Sequence, residues 1–179
     1  DSETLLDTAK ALSLSPIPKG KSVAVLSGQA GPSMAACDVC EENGLNIVSF
    51  KDSTQEAIND LLPPLALRTN PVDMGPAWYN SEAIAGIIQA VMRDPGVDAI
   101  LLLTMFASAN VNVLKGIRHL LMTWKQEKPL LTCIQSPPGI WDAQIQELEA
   151  AGALVNFPSP ERAAMALVNL WRMHRLQTP

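Results

Sequence analysis

The sequence predicts an α/β fold in which helices cover both faces of a five-stranded parallel sheet. Apolar runs alternate with stretches of helical periodicity along the 179 residues, which is typical of βαβ units. Residues 97–103 are almost continuously apolar, as expected for a central strand that is buried on both faces. The composition, 47% hydrophobic and 17% charged, is sufficient for one core. The simplest strand order is 2-1-3-4-5.

The chain opens with a short amphipathic helix, predicted over residues 2–14 with Ser2 as its N-cap. Two prolines and a glycine in residues 15–20 then interrupt helical structure. We therefore divide the chain into a leading helix and linker, residues 1–20, and a compact domain, residues 21–179. Because no initiator Met is present, we expect the sequence to be a piece of a longer protein.

The first strand, which begins at Val23, breaks at a glycine-containing turn before a helix predicted over residues 32–43. Pro32 suits the first helical position because its missing N–H would be unpaired there, and Gly31 permits a sharp turn. The N–H groups of residues 33–35 would then be free, at a helix start whose dipole favours an anion. Alternatively, the glycines only permit a tight connection.

This turn supplies the predicted phosphate-binding residues. They are Gly28, Gln29, Ala30, Gly31, Pro32 and Ser33. The turn lacks the Gly-x-Gly-x-x-Gly pattern, so a dinucleotide fingerprint is not indicated.

Four more strands and five more helices are predicted after the first βα unit. The strands are placed at residues 45–50, 97–103, 129–135 and 153–156. The helices are placed at residues 54–62, 81–92, 110–127, 141–151 and 159–175. Residues 53–56 resemble a capping box for the first of these helices. The segment 65–80 is long for a connection, and long connections often carry function.

Three loops meet at the predicted switch point, between the carboxyl ends of the first and third strands. They are the glycine-containing turn, the turn after the third strand and the long connection. The residues expected to line a cleft there are Asn70, Asp73, Thr104, Met105 and Phe106. Asn70 and Asp73 have an alternative role, which is to hold the backbone turn through their side chains.

Composition and spacing exclude several other functions. A net charge of −5 and a pI near 5.0 argue against a nucleic-acid or anionic-membrane surface. Three cysteines do not make a disulfide framework, which predicts a cytoplasmic setting, and no His or Cys cluster completes a metal site. His119 and His174 lie outside glycine-rich turns, so we interpret both as structural. Cys37 and Cys40 fall within a helix and are interpreted as packing residues.

A set of short segments, taken in order, carries a resemblance to a known family. They are Val23–Asn43, Leu61–Pro64, Asn70–Met74, Asp94–Ala99, Lys128–Pro129 and Ser159–Ala163. Together they resemble the C-terminal succinyl-CoA-synthetase-like domain of ADP-forming acyl-CoA synthetases, over essentially the whole chain. The resemblance implies a flavodoxin-like three-layer α/β/α fold within a multidomain acid–thiol ligase. That enzyme joins a carboxylic acid to CoA, with ATP converted to ADP and phosphate through a phosphohistidine in another domain.

The resemblance also implies ligands and partners. CoA, ATP or ADP, and Mg would be used by the full enzyme, with none bound tightly by this domain. The partners would be CoA-binding and ATP-grasp domains of the same protein or of a partner subunit, and a small carboxylic acid substrate. No nucleic-acid or membrane partner is expected. The isolated fragment would be inactive.

In this family the helix after the first strand faces the phosphoryl group, a role that falls here on Gly31, Pro32 and Ser33. The family pattern favours Asn-Ala-Gly-Gly-Pro-Gly, whereas residues 28–33 read Gly-Gln-Ala-Gly-Pro-Ser. Two alternatives follow. One is a ligase-like regulatory or scaffold domain, as in an acetyltransferase fusion, and the other is a stand-alone module for a different small anion.

Overall fold

The protein forms one parallel sheet between two layers of helices, as seen in a computed structural model that describes residues 1–124 and 127–177. The strands are β1 (Ser22–Ser27), β2 (Asn46–Ile47), β3 (Val72–Asp73), β4 (Ala99–Met105), β5 (Leu130–Gln135) and β6 (Val155–Asn156). Their order is β2-β1-β4-β5-β6, and β3 also pairs with β1. The short β3 was not predicted. Without it the order is the predicted 2-1-3-4-5, which is confirmed.

Seven helices cover the sheet within the described residues. They are α1 (Ser2–Leu14), α2 (Ala30–Glu42), α3 (Asp52–Leu61), α4 (Ser81–Arg93), α5 (Val113–Thr123), α6 (Asp142–Ala150) and α7 (Pro160–Gln177). In β4, Leu101 and Leu103 pack towards α2 and α7, whereas Ile100 and Leu102 pack towards α3–α6. Both faces of the central strands are therefore apolar, which confirms the three-layer architecture.

Several helix starts differ from the prediction. Asp1, not Ser2, is the N-cap of α1, and its Oδ1 accepts from the Thr4 N–H at 2.8 Å. The capping box predicted at residues 53–56 is wrong, because α3 begins at Asp52 and has no side-chain cap. A 3-10 turn over Ser108–Asn110 precedes α5, so this helix begins three residues late. Its predicted continuation includes residues 125 and 126, which lie outside the described residues.

Along one edge of β1, three partners follow one another: β2, the side chain of Asn70 and β3. For this reason β2 is shorter than predicted. Ser22 and Val23 pair with β2, whereas Leu26 and Ser27 pair with β3. Between them, the Asn70 side chain takes the place of a strand. Its Oδ1 accepts from the Val25 N–H at 2.9 Å, and its Nδ2 donates to the Val23 and Val48 carbonyls at 2.7 and 2.8 Å.

The leading helix α1 packs against α7. The Asp7 carboxylate accepts from Nε and Nη2 of Arg162 at 2.6 and 2.8 Å. The Lys10 ammonium lies 2.7 Å from Glu149 Oε1 and donates to the Asn156 carbonyl. These contacts attach α1 to the domain across about 150 positions of sequence. Within the described part, none of the helices has the length and apolarity that crossing a bilayer requires.

Candidate functional site

The turn between β1 and α2 is held by backbone and hydroxyl groups. The Gly28 N–H donates to the Leu103 carbonyl at 3.0 Å, and the Gln29 N–H donates to Ser27 Oγ at 3.2 Å. The Ser27 hydroxyl in turn donates to the Gln29 carbonyl at 2.6 Å. The turn is therefore tied both to its own strand and to β4.

The helix begins two residues earlier than predicted, so the free donors are different ones. Gln29 is the N-cap of α2, Ala30 is its first residue and Pro32 its third. In a helix the first N–H groups lack an acceptor four residues back, and Pro32 has no N–H to offer. The groups that point out of the helix start are therefore those of Ala30 and Gly31, and the placement of the free donors at residues 33–35 is wrong.

Gly28 and Ser33 are buried, whereas Gly31 faces open space. A Cβ on Gly28 would lie 1.7 Å from Cη2 of Trp78, so this position requires glycine for packing. The Ser33 side chain is 2% exposed and its hydroxyl donates to the Ala30 carbonyl at 2.6 Å. A Cβ on Gly31 would meet nothing within 4 Å. The two glycines of the turn thus have different roles, one in packing and one at an accessible surface.

A groove of about 270 Å³ opens between the first turns of α2 and α7, over the ends of β4 and β5. Of the predicted residues, Gly31, Pro32, Thr104 and Met105 line it. The Gln29 side chain reaches Met105, with its Nε2 3.5 Å from that carbonyl. The structure therefore brings the glycine-containing turn and the turn after β4 together, as the switch-point argument predicts.

The other predicted cleft residues hold local structure. Asn70 is committed to the sheet edge described above. Oδ1 of Asp73 accepts from the Gly75 N–H at 2.9 Å. The ring of Phe106 packs edge-on against Trp141, with ring centroids 5.5 Å apart. For Asn70 and Asp73, these contacts correspond to the turn-holding alternative.

Residues from β5 and α7 also line the groove and were missed from the sequence. They are Cys133, Gln135, Pro160 and Glu161. Pro160 and Glu161 could have been found from the Ser-Pro-Glu helix start that follows the last strand. Helices that follow parallel strands begin at the same edge of the sheet. A second helix start thus faces the groove beside that of α2.

The electrostatics of the groove come from these helix starts and from one carboxylate. No acidic residue lies in the first turn of α2, whereas Glu161 lies in that of α7. Among the described lining residues, Glu161 carries the only formal charge. The neighbouring Arg162 is engaged by Asp7 and Glu3 of α1. An anion in the groove would therefore be held by backbone N–H groups and would lie closer to α2 than to Glu161.

The remaining reactive side chains are unsuited to nucleophilic or redox chemistry. Burial is the main cause that raises the pKa of Cys37 to about 11 and that of Cys40 to about 12. Burial, and then Glu161, raise the pKa of Cys133 to about 11. His119 lies on the exposed side of α5. In the described part of the chain, no three His, Cys, Asp or Glu side chains are grouped to hold a metal ion.

These thiols predict a stability that falls at alkaline pH. A thiol whose folded pKa is raised contributes stability below the unfolded pKa and loses it as the pH rises towards the folded one. For Cys40 this window runs from about 9 to about 12. We expect the Cys40→Ala variant to show a smaller loss of unfolding free energy than the parent between pH 8 and pH 10.5 in urea titrations. Equal losses of unfolding free energy in the two proteins would contradict a raised pKa of Cys40 as a cause of the alkaline destabilisation.

The chain is similar in sequence to CoA ligases. An acetate–CoA ligase [ADP-forming] II subunit alpha from Pyrococcus furiosus is 27% identical over 173 residues, covering 92% of this chain and 36% of the ligase subunit. An acetate–CoA ligase [ADP-forming] II from Archaeoglobus fulgidus is 32% identical over 102 residues, covering 55% and 15%. No family model matches the chain. The chain thus spans about a third or less of these two relatives.

Solved structures show the same fold. A crystal structure of a protein from Pyrococcus horikoshii superposes with a TM-score of 0.86 and 25% identity, over 99% of this chain and 41% of that one. The acetyl-coenzyme A synthetase 1 of Ca. Korarchaeum cryptofilum, solved in complex with phosphate and ADP, superposes with a TM-score of 0.84 and 26% identity. The superposition covers 98% of this chain and 38% of that synthetase.

Proposed function

Because the chain is homologous to a segment of ADP-forming acetate–CoA ligases, we propose that it is one domain of an acyl-CoA synthetase and helps to hold a phosphoryl group. The whole enzyme would join a carboxylic acid to CoA while ATP is converted to ADP and phosphate. One observation carries the proposed role of this domain. The first turn of α2, where the N–H groups of Ala30 and Gly31 have no helical acceptor, lies beside an open groove at the carboxyl edge of the sheet, and Gly31 lines that groove.

The chemistry of that helix start suits a phosphoryl group. Two N–H groups can donate to phosphoryl oxygens, and the helix dipole adds positive potential. Because these groups belong to the backbone of a 13-residue helix, they are oriented before the ligand arrives. The domain would thereby stabilise the negative charge of the phosphoryl group during its transfer.

The phosphorylated residue would come from another domain. His119 lies on α5, on the face of the sheet opposite α2 and α7. His174 lies near the end of α7, about four turns from the helix start. Neither belongs to the groove lining. We therefore assign the phosphohistidine, the CoA site and the nucleotide site to the rest of the longer protein. Because Glu161 is the only carboxylate among the described residues of the groove lining, we assign the Mg²⁺ site to the rest of the protein as well.

Labelling of the full-length protein tests this function. The protein is incubated with ATP labelled at its terminal phosphate, and the product is tested for acid and base stability. We expect a phosphoprotein that is labile in acid, stable in base and discharged by CoA with a carboxylic acid. If a folded protein that contains its histidine takes up no label, the ligase function is wrong and the regulatory scaffold becomes the leading account.

A further inference from the structure

Residues 70–78, which we call the strap, run beside the β1–α2 turn on the face of the sheet that α4 covers. The strap contains β3 and a 3-10 turn over Gly75–Ala77. Met74 is fully buried, and Ala77 and Trp78 are 5% and 8% exposed. The strap is thus part of the core and not a loose surface loop.

Hydrogen bonds fix the strap to β1 along its length. The Asn70 side chain bonds to Val23 and Val25, and β3 pairs with the last two residues of β1. The Met74 N–H then donates to the Ser27 carbonyl at 2.7 Å. The strap consequently follows β1 to the residue just before Gly28.

Beyond that point the strap meets Gly28 by close packing. The six-membered ring of Trp78 fills the space where a Gly28 side chain would stand, with Cη2, Cζ3 and Cζ2 at 1.7, 2.0 and 2.4 Å from that Cβ position. A Cβ on Gly75 would lie 2.9 Å from the Gly28 carbonyl oxygen. Neither Gly28 nor Gly75 has room for a side chain. The backbone of Gly28 therefore packs directly against the indole of Trp78.

We propose that Trp78 is a positioning residue for the phosphoryl group, an inference that rests on the proposed function. Gly28 and the free N–H groups of Ala30 and Gly31 are only two or three residues apart. The contact between the indole and Gly28 therefore determines where these N–H groups lie. Trp78 acts through the turn and does not itself touch the ligand.

The test uses the full-length enzyme in the direction that consumes acyl-CoA, ADP and phosphate, and measures KM for phosphate separately from kcat. Gly28→Ala forces the turn away from Trp78, and we expect KM for phosphate to rise about 100-fold, which is the order of the loss that a misplacement of about 1 Å causes at a reaction site. Trp78→Phe removes the three contacting carbons. In this background we expect Gly28→Ala to raise KM for phosphate less than tenfold, while KM for acyl-CoA stays within twofold throughout.

Two controls separate positioning from general loss of packing. Trp78→Phe alone is expected to raise KM for phosphate about tenfold, so the inference stays testable if Gly28→Ala does not fold. Trp141→Phe changes another buried tryptophan, whose indole donates to the Val111 carbonyl, and is expected to leave KM for phosphate unchanged. An unchanged KM in both Gly28→Ala and Trp78→Phe, or an equal rise in Trp141→Phe, overturns the inference. A parent enzyme that does not use phosphate overturns the proposed function and this inference with it.

Discussion

Replacing Gly31 with aspartate is expected to lower phosphorylation of the full-length protein about 100-fold without weakening the fold. The new side chain has room, because nothing lies within 4 Å of a Cβ at this position. An acidic residue in the first turn of a helix is favourable, by about 0.5 kcal/mol. A carboxylate about 5 Å from the phosphoryl group opposes it by about 3 kcal/mol at an intermediate effective dielectric, which corresponds to about 100-fold.

The matched control is Gly31→Asn, which has the same shape as aspartate but no charge. We expect it to keep at least a third of the parent labelling rate, and the urea midpoints of both variants to equal or exceed that of the parent. The decisive quantity is the initial rate of label uptake from ATP. Full labelling of Gly31→Asp would show that the start of α2 does not face the phosphoryl group. Equal losses of labelling rate in both variants would show that the size of the new side chain, and not its charge, lowers phosphorylation.

The sheet was predictable because its central strands are buried on both faces. Residues 99–105 and 130–135 carry few charges and many branched side chains, so their apolar runs indicate strands without reference to the rest of the chain. The alternation with helices then leaves few topologies, and the observed order is among the simplest of them. The local sequence was sufficient to predict a strand wherever consecutive residues of that strand are buried.

The errors arose where a distant contact decides the local structure. β2 is short because Asn70, more than 20 residues away, takes the place of its continuation. α2 begins early because Trp78 and Leu103 hold the Gly28 segment as the turn, which leaves Gly31 free to be helical. A helix start predicted from Pro32 and Gly31 alone takes no account of Trp78 and Leu103.

The site was predictable in its location but not in its full membership. Switch-point topology brought the turn after β1 and the turn after β4 to one groove, as found for Gly31 and Met105. Gln135 joins them through its register with Met105 across β4 and β5. Glu161 joins them because α2 and α7 pack side by side, a pairing that depends on the whole layer. Which free N–H groups face the groove likewise depends on where the helix begins, and helix ends are weakly determined by sequence.

The largest effect on stability is expected at Asn70, where aspartate would remove two donors from the sheet edge. In the parent, Nδ2 donates to the carbonyls of Val23 and Val48, and Oδ1 accepts from Val25. A carboxylate keeps the acceptor but takes the donor from the Val48 carbonyl, leaves the Val23 carbonyl only the Val48 N–H at 3.3 Å, and adds a negative charge beside both oxygens. Because each unpaired buried group costs about 1–3 kcal/mol, we expect Asn70→Asp to lower the free energy of unfolding by about 3 kcal/mol.

Urea unfolding of the variant and of a matched control, Asn59→Asp, measures this effect. Asn59 is exposed on α3 and its Oδ1 accepts from Gln55, so its substitution is expected to change stability by less than about 0.5 kcal/mol. Since Asn70 Nδ2 joins the Val23 and Val48 carbonyls, the variant should also lose protection from amide exchange at Val48, whose N–H donates to the Val23 carbonyl, before the strands β4 and β5 open. A loss below about 1 kcal/mol would mean that backbone pairing alone keeps β2 and β3 beside β1, and that the amide only fills the space between them.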